Sequence, residues 1–192
     1  MTMAVDALTG GFADAPVESA RAFRAVMQAL ARPGRIETVT GAAPPAPMSV
    51  AAGVLLLVLA DGTTPVHLAP SHDLPGLRDW LTFHCGCPLV APEQAVFAVG
   101  TWPALQPITR FPVGTPEYPD RSTTLIVERP DLMLGTPALL TGPGIRGEAG
   151  LHLPDLAALS ANHAQFPLGC DLFFTAGDRL AGLPRSTKVE AL

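Results

Sequence analysis

The sequence predicts an α/β domain built on a mixed sheet. Segments with the helical period alternate with short β-branched or apolar runs bounded by glycine and proline, which is the pattern of an α/β domain. A closing hairpin near the C-terminus adds an antiparallel pair, so the sheet is mixed rather than purely parallel.

The first element is DAPVESARAFRAVMQALARPGRI. Val17, Ala20, Phe23, Met27 and Leu30 recur there at three- and four-residue steps and mark the apolar face of a helix. Asp14 is placed to cap it, Pro16 falls in its first turn and Pro33-Gly34 stops it. Arg21, Arg24 and Gln28 fall on the opposite stripe, which reads as a solvated face or, for Arg24, as a ligand contact. RIETVTG alternates and predicts a short strand, and GAAPPAPMS is a proline-rich connector. From Ser49 to Ala60 the chain is almost continuously apolar, predicting a fully buried helix too short to span a bilayer. DGTTP turns the chain into the short strand VHLA.

DLPGLRDWLTFHCG predicts a second amphipathic helix, with Leu77, Trp80, Leu81 and His84 at helical steps and an end at Gly86. QAVFAVG, STTLIVE and PALLTG predict buried strands. Between the first two of these lies QPITRFPVGTPEYPDR, a long segment with four prolines of the kind that more often carries function than not. LPDLAALSANHAQF predicts another helix, and DLFFTAGDRLAGLP a hairpin turning at Ala176 to Asp178.

With 192 residues, 48% hydrophobic and 15% charged, the chain can bury one substantial core. A single domain over 14–192, preceded by a loose leader at 1–13, follows. The low charge and a mean hydropathy of +0.32 imply more apolar surface than a monomer buries, hence a homodimer or larger assembly. A net charge of −5 argues against a nucleic-acid binder, which needs a basic face. The N-terminus lacks a basic n-region and a long apolar h-region, so no secretory signal or membrane span is expected and the predicted location is cytoplasmic. Three cysteines make no disulfide framework and imply a reducing compartment.

Arg185, Ser186, Thr187 and Lys188 gather charge and hydroxyls near the C-terminus of a charge-poor chain, a combination suited to phosphate or carboxylate oxygens; the alternative is a solvated tail. TGPGI brings Gly142 and Gly144 just after a strand, either as a turn or as backbone that approaches an anion, without the spacing of a Gly-rich nucleotide motif. His84, Cys85 and Cys87, with Cys170, could begin a metal site, but the spacing is not that of a zinc site and no second pair follows, so no metal is expected. His84 alone reads as a capping or core residue, or as a catalyst. There is no G-x-S-x-G elbow. The one lysine, Lys188, lies four residues from the end, where it would be poorly held for a Schiff base, and no cofactor is expected.

AFRAVMQALARPG, LLLVLADGTTPVHL, LTFHCGCPLV, QAVFAVG, GTPEYPDRSTTLIV, LLTGPGI and FPLGCDLFFTAGDRLAGLPRSTKVE resemble, in this order, the PhnH family of phosphonate metabolism proteins, components of the bacterial carbon-phosphorus lyase system. The match runs from about Val17 to Glu190, and its last segment is the most specific. The resemblance implies a three-layer α/β/α sandwich, a dimer, and a local similarity to pyridoxal phosphate-dependent transferases without the cofactor. It implies partners PhnG, PhnI and PhnJ and, with PhnG, PhnI and PhnL, a part in displacing adenine from ATP by an alkylphosphonate such as methylphosphonate. The later cleavage of the carbon-phosphorus bond belongs to the iron-sulfur subunit PhnJ.

The positions that match the family pattern are Phe23, Arg24, Pro33, Gly34, His84, Pro116, Glu117, Gly142, Gly144, Pro167, Gly169, Asp171, Pro184, Arg185 and Thr187. His84, Glu117 and Asp171 are the catalytic candidates; Arg24, Gly142, Gly144, Arg185 and Thr187 are candidates for binding a phosphonate or nucleotide anion. No complete catalytic set is visible, so a ligand-binding and assembly subunit is expected, with an independent anion- or nucleotide-binding enzyme and a structural scaffold as alternatives. Arg185 with Thr187 is expected to hold an anion near the sheet edge or dimer interface.

Overall fold

The computed structural model describes residues 8–192 and shows an α/β fold. Nine strands, β1 (Ile36–Thr38), β2 (Val66–Leu68), β3 (Phe97–Thr101), β4 (Thr124–Glu128), β5 (Thr136–Thr141), β6 (Ala149–Leu153), β7 (Asp171–Ala176), β8 (Arg179–Leu183) and β9 (Lys188–Ala191), form two sheets among the described residues. The larger sheet has the order β1-β8-β7-β4-β3-β2. β2, β3, β4 and β7 run parallel, while β8 is antiparallel to both β7 and β1, which makes the sheet mixed as expected.

Alternation along the strands divides the core between the two faces. Ile126 of β4 and Phe173 of β7 point into the cluster covered by α1 (Ala15–Ala31), α2 (Val50–Leu59) and α3 (Pro75–His84). Their neighbours Leu125, Val127, Leu172 and Phe174 point the other way. There they meet Leu105 of α4 (Trp102–Leu105), Leu159 of α5 (Leu156–His163) and Leu140, Leu151, Leu153 and Val189 of the small antiparallel sheet β6-β5-β9. This layer combines the helices α4 and α5 with the small sheet. PALLTG does form a strand, but outside the main sheet, and β6 and β9 carry too little periodicity to stand out in the sequence.

α2 is buried as its apolar run predicts, with Ala51, Ala52, Val54, Leu55 and Leu56 fully inaccessible, and its cap Ser49 accepts a hydrogen bond from the Ala52 N–H at 3.1 Å. α1 corrects the expected face. Val17, Phe23 and Met27 are exposed, and the buried residues are Ala22, Val26 and Ala29. The reason is the closeness of the helix to the sheet: a Cβ on Gly182 of β8 would lie 2.7 Å from the Ala29 carbonyl oxygen and 2.7 Å from the Leu30 Cα. Only small side chains fit between such backbones, so the large ones turn outward. The Asp14 side chain makes no cap either; its N–H instead donates to Glu18 Oε2 at 3.0 Å.

Residues 8–13 do not trail as a loose leader. Thr9 O accepts from Trp80 Nε1 at 3.0 Å, Gly10 O accepts from the Ala43 N–H at 2.8 Å, and Phe12 packs against the α1–α2–α3 core. The rest of the expected leader, 1–7, lies outside the described residues. The C-terminus is also held, since β9 pairs with β5 through Thr141↔Lys188 to Ala138↔Ala191. Lys188 is thus fixed in a strand, with Nζ 3.0 Å from Glu190 Oε1. Among the described residues no helix is long and apolar enough to cross a membrane.

Candidate functional site

The parallel strands begin at one end of the sheet, and there the hairpin brings two of the expected residues together. Asp171 opens β7 and Arg185 follows β8 by two residues, so the antiparallel pair Leu172↔Leu183 leaves them side by side. Asp171 Oδ1 accepts from the Arg185 backbone N–H at 2.9 Å and from its Nε at 3.1 Å, while Oδ2 accepts from Nη2 at 2.5 Å. Nη1 reaches across to the Pro119 carbonyl at 2.5 Å. Both side chains are mostly buried, 12% exposed for Arg185 and 22% for Asp171. The bond to Asp171 raises the Arg185 pKa above its already high ordinary value, so the guanidinium stays charged.

This pair is a clamp on the proline-rich segment 112–121. The segment folds back through reciprocal backbone bonds of 3.1 Å between Thr115 and Tyr118, with the Arg121 guanidinium 4.0 Å from the Tyr118 ring centroid. Glu117 stands exposed at its tip and makes no hydrogen bond or ion pair with any described residue. The Arg185 carbonyl in turn accepts from His163 Nδ1 at 2.9 Å, which places that ring's proton on Nδ1. The Arg185 fork expected to hold an anion is thus occupied by protein oxygens, and Asp171 is its counter-charge.

Thr187 is buried, with its N–H donating to Pro184 O at 2.9 Å and no partner for Oγ1 among the described residues. Gly142 comes close to it: a Cβ there would sit 3.1 Å from Ser186 O, and its φ of +133° lies in the region that favours glycine. Gly144, at φ +82°, faces the Ala31 carbonyl at the end of α1 so closely that no Cβ fits. The TGPGI segment is accordingly a packing turn that joins the β5–β6 connection to α1 and to the chain before β9.

His84 and Arg24 lie away from this cluster. His84 Nε2 is 3.0 Å from Thr9 O, and its ring centroid stands 4.9 Å from those of both Trp80 and Phe83, so it pins residues 8–12 against α3. Arg24 is exposed on α1 beside Arg21, Gln28, Arg35 and Glu37. Cys85, Cys87 and Cys170 are free thiols; burial pushes the Cys170 thiol up to about 12. Among the described residues no group of three or more His, Cys, Asp or Glu side chains could hold a metal ion.

The opposite end of the sheet holds buried polar residues that sequence reasoning did not single out. Glu128 ends β4 and Oε1 accepts from the Ser49 N–H at 2.6 Å, placing a carboxyl at the start of α2. His72 Nε2 lies 3.9 Å from the same oxygen, and Nδ1 is 2.9 Å from Ser71 Oγ, which accepts from the Thr101 N–H at 3.1 Å. Burial raises the Glu128 pKa and lowers that of His72, so both move toward their neutral forms. The only sequence signal was a glutamate directly closing the apolar run TLIV. The cluster ties the loops after β2, β3 and β4 to the start of α2.

Comparison with known proteins follows the same chain from end to end. The family described as "Bacterial phosphonate metabolism protein (PhnH)" matches residues 10–190. A Rhizobium meliloti (strain 1021) protein named "Alpha-D-ribose 1-methylphosphonate 5-triphosphate synthase subunit PhnH" is 42% identical over 200 residues, covering 99% of each chain. A Stutzerimonas stutzeri protein named "Putative C-P lyase subunit protein HtxG" is 30% identical over 196 residues, covering 93% of this chain and 94% of its own.

Proposed function

This chain belongs to the PhnH family of bacterial phosphonate metabolism proteins, and from that premise we propose that it is a subunit of the carbon-phosphorus lyase system. In this role it supports transfer of the ribose triphosphate part of ATP to an alkylphosphonate such as methylphosphonate, with release of adenine. The observation that carries the reading is the 42% identity, over 99% of both chains, to a protein named as a subunit of that synthase. The chain works with other subunits, PhnG, PhnI, PhnJ and PhnL, in the cytoplasm, and no step of its own uses pyridoxal phosphate or a metal.

The side chains support a binding and assembly role over catalysis by this chain alone. Asp171 and Arg185 satisfy each other, His84 holds residues 8–12, and Glu117 makes no hydrogen bond or ion pair with a described residue. A surface for assembly exists on α1, where Phe23 is 46% exposed, Met27 48% and Val17 43%. Aromatic and methionine side chains are among those enriched at protein interfaces. In isolation a second copy covers this stripe, and in the complex another subunit does. Sedimentation equilibrium at micromolar concentration is expected to show a homodimer that Phe23→Ser with Met27→Ser dissociates. A single species near 20 kDa for the unmodified chain contradicts the dimer, and failure of the tagged chain to co-elute with co-expressed PhnG, PhnI and PhnJ contradicts the assembly role.

A further inference from the structure

Six of the eleven arginines of this acidic chain have side-chain partners among the described residues: Glu37 for Arg35, Asp73 for Arg78, Asp131 for Arg179, Asp171 for Arg185, and backbone carbonyls for Arg110 and Arg129. Arg21 and Arg24 are among the five that do not, and they stand on one stripe of α1. Both are exposed, and neither makes a hydrogen bond or ion pair with any described residue. They stand three residues apart on α1, where like charges are neighbours and destabilise the helix. Together with Gln28 and with Arg35, just before β1, they line a groove of about 390 Å3. Its one carboxylate, Glu37, already has Arg35 Nε at 2.5 Å from Oε1, so the groove keeps two positive charges unbalanced.

We propose that this groove binds the phosphate chain of an oligophosphate ligand, such as a nucleoside triphosphate. Two free guanidinium forks and the Gln28 amide follow one another over two helical turns; Arg21 and Gln28 are about 10 Å apart along the axis. A row of donors of that length suits several linked phosphates, whereas a single tetrahedral anion engages one fork. Binding also relieves the Arg21–Arg24 repulsion. The choice of ligand rests on the family reading above; the preference of the site for an anion rests on the charges alone. The groove replaces Arg185, whose fork is filled, as the place where this chain meets its anion.

Calorimetric titration of the whole chain with tripolyphosphate, ATP and sulfate at low salt tests the proposal. Tripolyphosphate and ATP are expected to bind within a few-fold of each other, and sulfate at least about tenfold more weakly. Arg21→Gln with Arg24→Gln is expected to weaken tripolyphosphate at least about tenfold and to leave the melting temperature unchanged or slightly raised. Arg146→Gln, at an exposed arginine outside the groove, is the control and is expected to change nothing. Equal affinity in the double variant, or no tripolyphosphate binding by the unmodified chain at millimolar concentration, overturns the proposal. So does a double variant whose only defect is failure to join partner subunits, since the groove is then a protein contact. The titration needs this chain alone, so its failure leaves the adenine-release reading standing, and failure of adenine release leaves the titration result standing.

Discussion

Replacing Arg185 by alanine is expected to lower the unfolding free energy by about 3 kcal/mol, because removing one member of a largely buried ion pair strands the other. For a chain of this size that corresponds to a fall in melting temperature of about 6–12 °C. Asp171 is left with the Arg185 backbone N–H as its donor, and the Pro119 carbonyl loses the guanidinium that ties the 112–121 segment to the sheet. Arg185→Lys is expected to recover only part of the loss, since an ammonium cannot bond both carboxylate oxygens and Pro119 with the geometry of the fork. Thermal melts of the three proteins decide the matter. A freely exposed, ligand-holding arginine would instead show an unchanged melting temperature in Arg185→Ala.

Gly144→Ala is expected to cost about 3 kcal/mol, from a φ of +82° together with a Cβ that must push the Ala31 carbonyl aside. Gly147 provides the matched comparison: its φ is +80° and nothing lies within 4 Å of the position its Cβ would take. Gly147→Ala should therefore cost only the conformational part, about 1 kcal/mol. The difference between the two, read by chemical denaturation, isolates the contact between the TGPGI turn and the end of α1. Equal losses would mean that the turn does not bear on α1, and would return Gly142 and Gly144 to the list of ligand-binding positions.

Four of the five described helices, the parallel strands and the closing hairpin were legible because each carries a local signal: α2 an unbroken apolar run with a serine cap, β4 and β7 apolar runs, and the hairpin its Gly177 turn; the single turn α4 carries none. What was not legible depends on partners distant in sequence. Val17, Phe23 and Met27 obey the helical period as well as any core stripe; only Gly182, more than 150 residues on, forces the small face inward. Likewise Arg185 reads as a free anion ligand until Asp171 and Pro119 are seen beside it. β9 lacks an apolar pattern because only Val189 of its residues is buried. His72 and Glu128, far apart in sequence, meet at the sheet's end, and no spacing announces them.

The claim that this chain is a required subunit, and not an enzyme by itself, is tested most directly by adenine release from ATP and methylphosphonate. PhnG, PhnI and PhnL are assayed with this chain, without it, and in parallel with this chain alone. The account predicts adenine only from the complete set, with release falling to background when the chain is omitted and no release from the chain by itself. Full release in its absence, or turnover by the isolated chain, would contradict it.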